Sequence, residues 1–168
     1  MKDGRIWLTK NLNLKTANSY CFQDIEDNCK TDGRLYTWDA ALEACKALGE
    51  GWRLPTDKEW EALALAYGGL KEWEGNKEYT TTKDPAEAFN NLIKGGSSGF
   101  DALLVGTRDR NGKYGNIYYR GKLGCYWAST NYGSNGARRY LFNGSKNELI
   151  RTADESKASA YSCRCIKD

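Results

Sequence analysis

Gly51-Trp52-Arg53-Leu54-Pro55-Thr56-Asp57-Lys58-Glu59-Trp60-Glu61-Ala62-Leu63 is the run that decides how this chain is read. Thr56 and Glu59 have the spacing of a capping box, in which the hydroxyl and the carboxylate each satisfy a backbone N–H of the other's residue, so a helix starts after Thr56. Trp60, Leu63 and Tyr67 then line one face before Gly68-Gly69 ends it. Outward from this point two more helices can be placed. Thr37 reads as an N-cap for Trp38 to Leu48, with Ala41, Ala44, Cys45 and Leu48 at three- and four-residue steps and Gly49 as the stop. Asp84-Pro85 reads as an N-cap with Pro in the first turn, followed by Ala88, Phe89, Leu92 and Ile93 before Gly95-Gly96.

From Phe100 onward the pattern changes to short strands and turns. Ala102 to Thr107, Asn116 to Tyr119, Tyr126 to Thr130, Arg138 to Phe142, Glu148 to Arg151 and Ser159 to Ile166 read as strands. Arg110-Asn111-Gly112-Lys113 reads as a hairpin turn whose Asn-Gly suits positive φ. Helices first and antiparallel strands later make an α+β layout in one domain over residues 1–168. Asn131 to Ala160 is the most polar long stretch, flanked by aromatic and Cys-bearing strands. Loops held by such a scaffold are where binding concentrates, so function is expected there.

Composition narrows the chemistry. Leu, Ile, Val and Phe total only 27 of 168 residues, but a net charge of +3 is not that of a disordered chain, and six Trp with eleven Tyr supply the missing burial. The absence of His removes Ser-His-Asp, Cys-His and His-ligated zinc or haem sites. No pair among the remaining acid-base residues has a distinctive spacing, so no catalytic residue and no cofactor is expected. No run of about 18 apolar residues exists, so no membrane insertion is expected. Met1-Lys2-Asp3-Gly4 is no signal peptide, leaving room for a leader or an earlier strand upstream. Residues 1–84 carry 12 basic and 15 acidic side chains against 13 and 7 in residues 85–168, yet Arg138-Arg139 is the only basic doublet. Nucleic acid is therefore not an expected partner.

Six Cys in a small Gly-rich chain point to an oxidising compartment. Their spacings favour disulfides over buried thiols and over a metal site, and six Cys allow fifteen full pairings, among which spacing does not choose.

Seven blocks carry a resemblance. Asp3-Gly4-Arg5-Ile6-Trp7-Leu8 with Asn11-Leu12-Asn13 is followed by Gly33-Arg34-Leu35-Tyr36-Thr37-Trp38-Asp39-Ala40-Ala41 and by Cys45 with Gly51 to Leu63. Gly99-Phe100-Asp101-Ala102-Leu103, Gly106-Thr107-Arg108, Tyr126-Trp127-Ala128-Ser129-Thr130 and Arg164-Cys165-Ile166-Lys167-Asp168 complete it. In order and spacing these resemble the Fibrobacter succinogenes major paralogous domain. The resemblance implies a C-type lectin-like fold, with two or three helices packed on short twisted antiparallel sheets and long ordered loops. Its branch is shared with formylglycine-generating enzymes, whose Arg-Leu-Pro-Thr-x-x-Glu-Trp-Glu signature is similar to Arg53 to Glu61. It also includes variable proteins of diversity-generating retroelements, which similarly end in a Tyr-Trp-x-Ser-Thr strand, a polar stretch and a terminal Arg-Cys.

Carried over by matching position, Trp127, Ser129, Thr130, Ala137, Phe142, Arg164 and Cys165 are framework. Asn131, Tyr132, Ser134, Asn135, Arg138, Arg139, Leu141, Asn143, Glu148, Arg151, Asp154 and Lys157 are then the candidate ligand-contacting or diversified residues, within a variable segment of about 131–160. Strand alternation adds that if Tyr140 and Phe142 face inward, Arg139, Leu141 and Asn143 face out together. A surface of Tyr, Ser, Asn and Arg is that of an antibody paratope, so protein is the expected ligand class, with carbohydrate second. The prolines of a calcium-dependent lectin loop and a Trp-Asn pair are lacking, so no metal is implied.

The resemblance thus implies a non-catalytic ligand-binding module on a cell or virion surface. The alternatives are a fixed structural or adhesive surface domain and, less favoured, a formylglycine-generating-type oxidase, whose wider Cys spacing this chain lacks. Alongside it, Cys21 is expected to clasp Cys29, and Cys45 to tie the first helix to Cys165 on the last strand. Cys125 and Cys163 lie outside the family positions and remain to pair with each other.

Overall fold

The computed structural model describes residues 1–74, 77–115, 119–154 and 156–168, without the side chains of 74–80 and Asp154. Among these residues the fold is α+β, with four α-helices: α1 (Glu26–Asp32), α2 (Trp38–Lys46), α3 (Asp57–Ala66) and α4 (Pro85–Leu92). The strands are β1 (Ile6–Trp7), β2 (Ser19–Tyr20), β3 (Leu35–Tyr36), β4 (Trp52–Arg53), β5 (Gly69–Glu74), β6 (Lys77–Lys83), β7 (Leu123–Tyr132), β8 (Gly136–Asn143), β9 (Glu148–Asp154) and β10 (Ile166–Lys167). The main sheet has the order β6-β5-β9-β8-β7, antiparallel except between β5 and β9. β1, β10 and β4 pair the two ends of the chain, and β2 pairs with β3.

The capping box forms as the sequence requires. Thr56 Oγ1 accepts from the Glu59 N–H, and the Glu59 carboxylate accepts from the Thr56 N–H at 2.8 Å. Arg53 adds two bonds to the same carboxylate, at 2.9 and 2.7 Å. These bonds hold Glu59 down at about 2, with Arg53 the largest contribution, against burial that pushes it up. Asp84 caps α4 through Ala86 and Glu87, as expected. Thr37 precedes α2, but its side chain makes no capping bond, and that helix ends at Lys46, short of Leu48.

Aromatic side chains fill the core on both faces of the β7–β8 pair. On one, Trp60 of α3 and Phe89 of α4 meet Tyr126, Tyr140 and Phe142, all five at most 5% exposed. On the other, Trp38 and Ala44 of α2 meet Cys125, Trp127 and Ala137. Period-two alternation distributes each strand between these two clusters.

Several expectations need correction. Within Asn131 to Ala160 the strands expected at Arg138 to Phe142 and Glu148 to Arg151 form as β8 and β9, each longer than expected, so half of this stretch is inner strand of the main sheet rather than loop. α1 and the β5–β6 hairpin are additional elements that the sequence reading did not place. Ala102 to Thr107 and Ser159 to Ile166 are extended segments fixed by single bridges rather than strands, apart from Ile166 in β10. In the Arg110–Lys113 turn only Gly112 has positive φ; Asp109 closes it by accepting from the N–H groups of Asn111 and Lys113. The strand expected at Asn116 to Tyr119 falls largely on 116–118, outside the described residues.

Cys21–Cys29 and Cys45–Cys165 are both disulfide-bonded, as expected. The expected Cys125–Cys163 bond is absent, and both remain buried thiols. The parallel bridge of Tyr126 with Ser162 sets Cys163 level with Trp127, two places out of register from Cys125. That diagonal is about 7–8 Å, beyond the reach of a disulfide without backbone movement.

Candidate ligand-binding surface

The twelve candidate residues separate into three groups. At the β7–β8 turn, Asn131, Ser134 and Asn135 are exposed, with Tyr132, Arg138 and Lys157 half-buried beside them. Arg138 lies over the Tyr132 ring at 4.7 Å, and the Lys157 ammonium over the Trp38 ring at 3.9 Å. Lys157 Nζ also donates to Asn131 Oδ1 at 2.6 Å, while its backbone N–H bonds to the Asn135 carbonyl and its carbonyl accepts from the Trp38 N–H. Lys157 thereby pins the turn to the start of α2. The backbone of Asp154 pairs with Ala137.

A second group is built into the frame. Arg151 donates Nε to Asp57 Oδ1 at 2.9 Å and Nη1 to Glu72 at 2.8 Å, with a further short bond from Nη2 to Asp57. Arg139 lies over the Tyr161 ring and donates to its hydroxyl at 2.6 Å. Alternation does turn Tyr140 and Phe142 inward, but Arg139 and Leu141 do not face open solvent, because Tyr161 and the second cluster cover their side of the sheet.

The third group lies at the opposite end. Ala137 and Asn143 are six residues apart on β8, about 20 Å in extended chain. There Asn143 Oδ1 accepts from the Ser145 N–H, and Glu148 pairs with Lys71 at 3.1 Å. The β7–β8 turn therefore gathers six of the twelve side chains, and one ligand of modest size cannot touch all twelve.

The framework residues close the turn from below. Ser129 donates its N–H to the Pro55 carbonyl at 2.8 Å, and Thr130 Oγ1 accepts from the Asp57 N–H at 3.0 Å. The capping-box loop thus fixes the end of β7, where the β7–β8 register shifts between Trp127 and Asn131. Ala137, Phe142 and Arg164 are fully buried. The buried Trp38 lies beneath this surface through Lys157, although sequence reading gave it only the start of a helix; no spacing signal links the two.

Chemically the turn offers amide, hydroxyl, phenol, guanidinium and ammonium groups, suited to hydrogen bonding and stacking. Cys163 is a poor nucleophile, since complete burial pushes its thiol well up. Cys21, Glu26 and Cys29 lie within metal-ligand distance of one another, but the two sulfurs are bonded together and Glu26 is paired with Lys15 and Arg34. No described helix is long and apolar enough to cross a membrane.

The family model of the Fibrobacter succinogenes major domain matches residues 2–167, so the chain belongs to that family. No curated protein and no solved structure matches it.

Proposed function

We propose that this member of the Fibrobacter succinogenes major domain family is a non-catalytic ligand-binding module of C-type lectin-like fold, displayed on a cell or virion surface, whose binding surface is the β7–β8 turn. The observation that carries the reading is the pair of cation–aromatic couples there, Arg138 on Tyr132 and Lys157 on Trp38, beside the exposed Asn131, Ser134 and Asn135. Tyr and Arg give large contacts at low entropic cost, and Ser and Asn give adaptable hydrogen bonds. Protein is the preferred ligand class, with carbohydrate second. The two disulfides suit an oxidising compartment, and burial of both remaining thiols argues against oxidase chemistry.

Diversification by a retroelement is the finer part of the proposal. It rests on the likeness of Tyr126–Thr130 and Arg164–Cys165 to the variable proteins, and on a turn whose exposed side chains are not part of the core. A fixed adhesive domain is the second reading, favoured by Arg139, Leu141, Glu148 and Arg151, which are committed to packing or ion pairs. Sequencing the DNA around the gene separates the two. An adenine-rich near-copy of the stretch coding for 131–160, beside a reverse transcriptase, is the expected result. Absence of both from the genome removes diversification and leaves the fixed domain.

A further inference from the structure

Away from the β7–β8 turn, a cleft of about 410 Å³ opens between Thr9–Asn13, the last turn of α1 and the loop after α4. Asn11 pins its walls together. Its Nδ2 donates to the Asp32 carbonyl at 2.9 Å, and its Oδ1 accepts from Arg164 Nε at 2.8 Å and from the Tyr126 hydroxyl at 3.2 Å. Gly33 lets α1 close against this segment, since a Cβ there would meet Asn11 Cβ at 2.7 Å and the Leu12 carbonyl at 2.9 Å. The cleft is therefore built into the fold.

Its charges are unequally engaged. Asp32 accepts from Arg120 at 2.6 Å and from Thr31 at 3.0 Å, and Asp101 accepts from the Gly95 N–H at 2.9 Å. The buried Arg164 guanidinium donates to Asn11 and to the carbonyls of Leu8, Phe100 and Asp101, and so fixes the floor of the cleft. Lys10 and Lys94 line the same cleft, and neither ammonium has a partner among the described residues. A second cavity of about 340 Å³ shares Asp32, Lys94 and Leu103 with the first and continues along Ile93, Leu104 and Val105. One half of the groove is thus polar with uncommitted cations and the other is apolar. Among the described residues, no aromatic side chain lines either half.

We propose that this groove is a second binding site, separate from the β7–β8 turn, for a ligand carrying an anionic group on a short apolar arm. Lys10 and Lys94 receive the anion, and Ile93, Leu103 and Leu104 receive the arm. A free carboxylic acid and the C-terminal residue of a peptide share this chemistry. The test is an NMR titration of ¹⁵N-labelled protein with hexanoate and with N-acetyl-alanyl-leucine, against hexanol and the peptide's C-terminal amide. The expected result is saturable shifts at the Thr9–Asn13, Lys94 and Leu103 amides, with a carboxylate bound at least about tenfold tighter than its neutral counterpart. The K10A/K94A double variant should lose about tenfold in affinity with its melting temperature unchanged. Binding of the peptide alone assigns the site to a chain terminus, and of hexanoate alone to a free acid. Failure of both carboxylates to saturate, equal binding of the neutral compounds, shifts confined to the β7–β8 turn, or full affinity in the double variant overturns the proposal.

Discussion

Trp60 of α3 lies stacked on Tyr140 of β8, the ring centroids 5.2 Å apart and the planes 16° from parallel. The Trp60 indole N–H donates to the Trp127 carbonyl at 3.2 Å, and the Tyr140 hydroxyl donates to the Asp57 carbonyl at 2.9 Å. One aromatic couple thus fastens the helix of the capping box to both strands that carry the candidate surface. On the proposed reading, this couple is the frame beneath the binding turn.

The cost of breaking that couple should be large. Trp60 is fully buried, so Trp60→Ala is expected to lose about 3–5 kcal/mol in urea denaturation. Tyr140→Phe keeps the ring and loses only the hydroxyl's bonds, for about 1–3 kcal/mol. Equal losses would show that the stack contributes little.

Two residues from the same candidate set should behave in opposite ways. Arg151→Ala removes the partner of Asp57, whose side chain is only 9% exposed, and should cost about 3 kcal/mol. Ser134→Ala, on the exposed turn, should stay within about 0.5 kcal/mol. Thermal melts of the two variants decide whether Arg151 belongs to the frame.

Much of this frame was legible in the sequence, because its signals are local. Thr56 and Glu59 are three residues apart, and Asp84-Pro85 announces a helix by itself. α1 carries no such signal: within Glu26–Asp32 only Cys29 is buried, so there is no apolar period to read. β8 was legible as a strand from Arg138 to Phe142, but its place inside the main sheet was not. Arg138, Arg139 and Asn143 look solvated, yet Tyr132, Tyr161 and local turn bonds accommodate them in a central strand. Arg151 entered the ligand set by its position among the framework residues; its partner Asp57 lies 94 residues away, a separation at which no pattern records a pairing.

The two disulfides should differ in worth. Cys45 and Cys165 are 120 residues apart in sequence, Cys21 and Cys29 only eight. In the chain-entropy model the C45A/C165A variant loses about 4–5 kcal/mol and C21A/C29A about 2–3 kcal/mol. A thiol titration of the parent should find Cys125 and Cys163 only after denaturation, since both are buried.

Acid should weaken the capping box. Glu59 is held at about 2, below its ordinary value of 4.5. Its contribution is therefore complete above pH 4.5, where the unfolded chain's carboxyl is also ionised, and is lost as pH falls toward 2. Denaturation midpoints measured across that range should fall less steeply for Glu59→Gln than for the parent, and parallel curves would remove Glu59 as a source of the acid lability.

The most direct test of the binding surface is a displayed library randomised together at Asn131, Tyr132, Ser134, Asn135, Arg138 and Lys157 and selected against unrelated protein targets. The account predicts folded binders to more than one target, with substitutions at these six positions determining which target is bound and melting temperatures close to the parent's. A library that largely fails to fold, or one that folds and yields no binder to any target, would contradict it.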